Sequence, residues 1–130
     1  MTTTVLHRDA WVTVTVDGKL GLVRYQRNGV PFATDEDIKR SYGALVEIFE
    51  RVPPGLLLLI DIREAPPRND ASFEDRANAA IVAVTKKFKK HPTLVRTAVG
   101  KLLSIRLATA RKATPHVFDD EQAALSYLRS

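Results

Sequence analysis

The amino-acid sequence predicts an α/β domain: a single-layer mixed sheet of about five strands flanked by four helices. Three observations carry this. Trp11-Val12-Thr13-Val14-Thr15-Val16 alternates with its valines on one face, the period of a half-buried strand. Leu56-Leu57-Leu58-Leu59-Ile60-Asp61-Ile62 is short, almost continuously apolar and bounded by turn residues, as a strand covered on both faces would be. Around that run, apolar residues recur at helical spacing, so the order reads ββαβαβα: a hairpin, then alternating helices and strands, with the later strands parallel. The 130 residues fit one domain, 1–130, with its core over about residues 10–129.

Asp17-Gly18 directly follows the first strand and suits a type I′ turn, whose two central residues need φ > 0. The hairpin's second strand is expected from Lys19 to near Arg27, broken by Asn28-Gly29 and Pro31. Thr34 reads as the cap of the first helix, with Asp35, Glu36 and Asp37 at the positive end of its dipole. Ile38, Tyr42, Leu45, Val46 and Phe49 form its apolar stripe, and Val52-Pro53-Pro54-Gly55 stops it. After the buried strand, Arg63 to Ala71 is a loop containing Pro66-Pro67. Ser72, with Asp75 three residues on, is expected to cap a long second helix whose inner face is Phe73, Ala77, Ala80, Ile81, Val84 and Phe88. That helix is expected to end in Lys86-Lys87-Phe88-Lys89-Lys90-His91 before Pro92. Thr93–Val99 reads as a fourth strand ended by Gly100, and Lys101–Lys112 as a third helix. His116–Phe118 reads as a fifth strand, and Asp119 with Gln122 as the capping pair of a last helix running from Asp120 to near Arg129.

Composition narrows the chemistry. The chain has no cysteine, which excludes disulfides, thiolate metal sites and thiol nucleophiles. Six glycines are scattered without a GxGxxG or GxxxxGK[ST] pattern, so no nucleotide cofactor is indicated and none of any kind is expected. Met1 to Asp9 holds no apolar h-region, and the longest apolar run falls far short of the roughly 20 residues of a membrane span, so a cytoplasmic location is expected. The net charge of +5, from 20 Lys and Arg against 15 Asp and Glu, nominates acidic partners without identifying one.

The element order, closing on His116-Val117-Phe118-Asp119-Asp120-Glu121-Gln122-Ala123-Ala124-Leu125-Ser126-Tyr127-Leu128, resembles the STAS domains, in particular the SpoIIAA-like group related to the bacterial anti-sigma-factor antagonists. The resemblance covers roughly Trp11 to Leu128 and rests mostly on element order. In the antagonists an Asp-Ser-Ser-Gly-like motif opens the helix after the third strand, and phosphorylation of its serine by a partner kinase releases that kinase. Here the equivalent segment is Asn69-Asp70-Ala71-Ser72-Phe73, so Asp70 and Ser72 match the motif, while Ala71 and Phe73 stand where it has Ser and Gly. The resemblance implies a non-catalytic regulatory or protein-interaction domain, with Ser72 as phosphoacceptor and a kinase or regulator as partner.

Other constellations have a structural reading beside a functional one. Ser72 alone is equally a helix cap. Asp61, Glu64, Asp70 and Asp75 offer carboxylates but no metal-loop spacing, and acidic residues are common at strand ends and helix starts, so no metal is expected. His7, His91 and His116 stand far apart and suggest no triad, which leaves no convincing catalytic group. Lys86, Lys87, Lys89 and Lys90, with Arg106, Arg111 and Lys112, form a basic cluster that phosphates or an acidic protein would recognise. Cations are also favoured at a helix C-terminus, and aromatic residues are only 7% of the chain, which disfavours nucleic acid. A second function class is a small-molecule or lipid-binding module, whose mark would be an unfilled cleft above roughly 300 Å³ between a helix and the sheet. Homodimerisation through an exposed edge strand such as Trp11–Val16 is a further expectation.

Overall fold

The computed structural model describes residues 3–130, so Met1 and Thr2, the first part of the stretch read as lacking an h-region, lie outside the described residues. Six strands form one mixed sheet in chain order. They are β1 (Thr3–Arg8), β2 (Val12–Asp17), β3 (Leu22–Arg27), β4 (Leu57–Asp61), β5 (Thr93–Leu94) and β6 (Val117–Phe118). The helices are α1 (Asp35–Arg51), α2 (Ala71–Thr85), α3 (Ala98–Ala110) and α4 (Glu121–Arg129). β1, β2 and β3 pair antiparallel, and β3 through β6 pair parallel. The order is therefore βββαβαβαβα, with one strand more at the start than expected; the closing strand and helix stand where His116–Phe118 and Asp120 to near Arg129 were read, though the string ββαβαβα leaves them out.

The monotonic strand order decides which face each helix takes. Right-handed crossovers that always step in one direction place their helices on one side of the sheet. α1 packs there: Leu45, Phe49 and Val52 meet Val12, Val14, Val23, Leu58 and Ile60, together with Phe88. α4 covers the opposite face, where Ala124, Leu125 and Leu128 meet Leu22, Leu59 and Leu94. β4 is thus buried on both sides, which is why Leu58 and Leu59, though pointing opposite ways, are both wholly enclosed. Each such leucine contributes about 1.5–3 kcal/mol of burial. α3 behaves differently: only Ala108 is fully buried, while Val99 and Leu102 are 55% and 67% exposed.

Four local expectations are corrected. Asp17-Gly18 does not form a two-residue turn; Asp17 pairs with Leu22, and the Asp17 carboxylate accepts from the Lys19 and Leu20 amides. That Asx arrangement lengthens the loop, and the left-handed residue is Gly21 (φ 63°) instead. The fourth strand stops at Leu94 rather than Val99, because Thr97 caps α3 by accepting from the Gly100 amide. Helix α2 begins at Ala71, capped by Asp70, which accepts from the Phe73 amide; Ser72 lies inside its first turn. α4 is likewise capped by Asp120, not Asp119, through the Ala123 amide. Thr34 caps α1 as expected, accepting from Asp37. Trp11–Val16 is also no edge: β2 lies between β1 and β3, and the sheet's edges are β1 and β6.

Candidate ligand-binding cleft

Between the sheet and the helices α1, α2 and α3 lies an open, mostly apolar cleft of about 340 Å³. Its floor is the α1-side face of the strands: Tyr25 and Arg27 of β3, Leu58 and Ile60 of β4, Thr93 of β5 and, just beyond it, Val95. Strand register puts these residues together, since Tyr25 pairs with Val14 on one side and Ile60 on the other. The volume stays empty for a sequence reason. α2 turns Ala77 and Ala80 toward the sheet, where longer side chains would reach the floor, and α3 contributes Leu103 and Leu107 from its inner side. Among the described residues no helix is long and apolar enough to cross a membrane.

One end of the cleft is aromatic. Trp11 and Phe32 have ring centroids 5.3 Å apart, Phe32 and Tyr42 5.8 Å, and Tyr42 and Phe73 6.4 Å. The Arg27 guanidinium lies 4.4 Å from the Phe32 centroid, within cation–π range. Burial drives the Tyr25 phenol upward and the Tyr42 phenol up to about 12, so both are neutral donors throughout the physiological range.

Five arginines line the cleft, and they differ in how their charge is met. Arg63 donates to Asp61 at 2.8 Å, Arg96 to Glu64 at 2.9 Å, and Arg68 pairs with Asp70. Arg111 donates to the Asn78 amide oxygen at 3.0 Å and Arg27 to the Asn28 carbonyl at 2.7 Å. Neither Arg27 nor Arg111 forms an ion pair among the described residues, and burial lowers the pKa of both.

Behind the cleft, on the α4 face, Asp61 is almost fully buried. It accepts from the Arg63 amide and guanidinium at 3.1, 3.0 and 2.8 Å and from Arg24 at 3.4 Å. Glu121, in the first turn of α4, receives both arginines at 3.1 Å. Burial alone would raise the Asp61 carboxyl, but the Arg63 hydrogen bonds and the charges of Arg63 and Arg24 outweigh it, so it titrates below the usual carboxylate value. The network ties β3, β4 and the start of α4 together.

The structure separates the remaining sequence-picked residues. Ser72 is exposed and free of the capping duty, which Asp70 takes while also holding Arg68. α2 ends at Thr85, so the four lysines lie at or beyond its end rather than in its last turn. Lys87 donates to the carbonyls of Phe49, Glu50 and Val52 at 3.1, 2.6 and 2.9 Å, closing the C-terminus of α1. Lys90 donates to the Tyr127 and Ser130 carbonyls at 3.1 and 2.6 Å, closing α4, whereas Lys86 and Lys89 are exposed. Arg106 pairs with Glu74 across α3 and α2 at 3.1 Å, and Lys112 takes a left-handed φ of 60° just past α3. Asp75 is exposed on α2, and among the described residues no group of three or more His, Asp or Glu is arranged to hold a metal. His7 meets Asp9 at 2.9 Å, His116 stacks on Tyr127 at 4.6 Å, and burial lowers the pKa of His91, so the three histidines do not converge.

Sequence reading missed Arg27 and Tyr25. Their signal was the alternation of β3: Val23, Tyr25 and Arg27 occupy every second position, opposite Val16, Val14 and Val12. Period two therefore places a cation and a phenol on the apolar face. Comparison of the chain with protein-family models, with curated proteins and with solved structures gives no match.

Proposed function

We propose that this protein is a non-catalytic binding module that holds a small, largely apolar ligand in the cleft between its sheet and α2 and α3. The observation that carries this reading is the cleft itself: about 340 Å³, walled by aliphatic and aromatic side chains, with a few polar groups at fixed places. Left open, the cleft holds its aliphatic and aromatic walls against water instead of against packed neighbours, which costs both apolar burial and dispersion contacts. A ligand restores them. If the sequence resemblance to SpoIIAA-like STAS domains is carried over to this α/β chain, the bound state is the signal that a regulatory domain passes to its partners.

The test is thermal unfolding of the full chain with 1-decanol. A ligand present at a hundred times its Kd stabilises by about 2.7 kcal/mol. With an unfolding entropy of about 2.1 cal/mol/K per residue, that raises the Tm of a chain of 130 residues by about 10 °C. Ala80→Phe, which projects from α2 into the cleft toward its floor, should abolish the shift. An unchanged Tm in the wild-type protein would end this reading.

A second reading rests on Ser72. It is exposed in the first turn of α2, where three further phosphate oxygens would meet the positive end of the helix dipole, and no cap is lost by modifying it. Phosphorylation there would act at the rim of the same cleft, because the neighbouring Phe73 lines it. Loss of partner binding in Ser72→Asp, with Ser72→Ala unaffected, supports the gate; full retention in both removes it.

A further inference from the structure

An arginine whose charge is unmet decides which apolar molecule the cleft suits. Arg27 is only 6% exposed, yet no carboxylate lies within ion-pair distance of its guanidinium among the described residues. One terminal nitrogen is used on Asn28, and the guanidinium carbon lies 4.4 Å from the Phe32 ring centroid. The Nε and the second terminal nitrogen make no hydrogen bond among the described residues. The carboxylate nearest in charge effect, Asp9, is committed to His7 and to the Trp11 and Val12 amides. A buried cation without a counter-charge is costly, and such groups are normally paired.

Two phenols extend the same polar spot. Tyr25 and Tyr42 line the cleft within electrostatic reach of Arg27, and neither hydroxyl has a hydrogen-bond partner among the described residues. A guanidinium with free N–H groups and two neutral O–H donors form an all-donor corner in an apolar cleft. That is the complement of an anionic oxygen group attached to a hydrocarbon. At roughly 30 Å³ per water-sized group, the cleft of about 340 Å³ holds a chain of roughly ten methylenes.

We propose that the ligand is a single-chain amphiphilic carboxylate of medium length, its head on Arg27 with Tyr25 and Tyr42 and its chain along the floor toward Val95. This rests on the cleft being a binding site, as proposed above, and adds the charge and placement of the head.

The test compares decanoate with 1-decanol by isothermal titration on the full chain, near pH 8, where the carboxyl is ionised. Decanoate should bind about tenfold to a hundredfold tighter, the span expected when hydrogen bonds to a charged group replace those to a neutral one. Arg27→Gln should bring the two ligands within about twofold of each other while 1-decanol keeps its wild-type affinity. Equal binding of both ligands by the wild-type protein overturns the carboxylate and leaves the cleft reading intact; binding of neither overturns both. Retention of the decanoate preference in Arg27→Gln overturns the placement and moves the head to another cation, with Arg111 the remaining unpaired one. Because the comparison of head groups needs no variant, failure of Arg27→Gln to fold does not remove the test. Decyl phosphate binding more tightly than decanoate would overturn the carboxylate in favour of a phosphate head.

Discussion

Replacing Asp61 with Asn tests the ionic tie between β3, β4 and α4. The amide keeps the shape and still accepts from the Arg63 backbone, but it withdraws the negative charge from two guanidiniums at 2.8 and 3.4 Å. Breaking a buried ion pair costs about 3–5 kcal/mol when a charge is stranded. Here Glu121 still receives both arginines, and Arg63 is about one third exposed, so solvent screens part of the loss. The cost expected is therefore about 2–3 kcal/mol at neutral pH, near the value of one or two charge-assisted hydrogen bonds. At about 0.27 kcal/mol/K for a chain of this length, that lowers the Tm by about 7–11 °C. The pH dependence gives the reasoning a second edge. The carboxyl titrates lower in the folded chain than in the unfolded one, so its contribution is fully present above about 3.9 and disappears as the pH falls through the lower folded value. Urea unfolding of wild type and Asp61→Asn should therefore differ at pH 7 and converge on acidification. A difference below about 0.5 kcal/mol at pH 7 would mean the attraction only offsets desolvation. A gap that persists unchanged in acid would mean that charge is not its source.

Lys87→Met should destabilise the protein by about 1–2 kcal/mol in the same assay, because three C-terminal carbonyls of α1 lose their donor, whereas Lys86→Met and Lys89→Met should stay within about 0.5 kcal/mol. Asp70→Ala should cost about 1 kcal/mol through loss of the α2 cap, and Ser72→Ala a few tenths at most; the reverse ranking would restore Ser72 as the cap.

Much of the fold was legible in the sequence where side-chain period and burial agreed. β2 alternates because one face is core, the β4 run is apolar because α1 and α4 cover both its sides, and α1 carries a clear stripe with its Thr34 cap. β1 was not legible. Its side chains are mostly exposed, Val5 and Leu6 are adjacent rather than alternating, and the pairing with β2 shifts between Val5 and His7. Backbone hydrogen bonds hold it, and these leave no periodic trace. β5 and α3 were misread at their junction because Thr97-Ala98-Val99-Gly100 has β-prone residues yet a capping threonine three places before the glycine. At α2, Ser72 was read as the cap, but Asp70 is an equally good capping residue type two places earlier and takes the role, so the helix begins at Ala71. The cleft was foreseen only as a class of site, since an absence of packing is a property of three dimensions. Arg27, by contrast, was readable from the alternation of β3.

Because the six strands lie in the sheet in the order of synthesis, each one leaving the ribosome finds its neighbour already made, and no strand must be threaded between two others. α4 is the exception. The nine residues Glu121–Arg129 follow all six strands, and until they arrive Leu22, Leu59 and Leu94 are uncovered and Asp61 lacks the Glu121 side of its network. A nascent chain halted before residue 121 would carry a sheet with one bare apolar face, the kind of surface that holdase chaperones shield and that joins other unfinished chains when they do not.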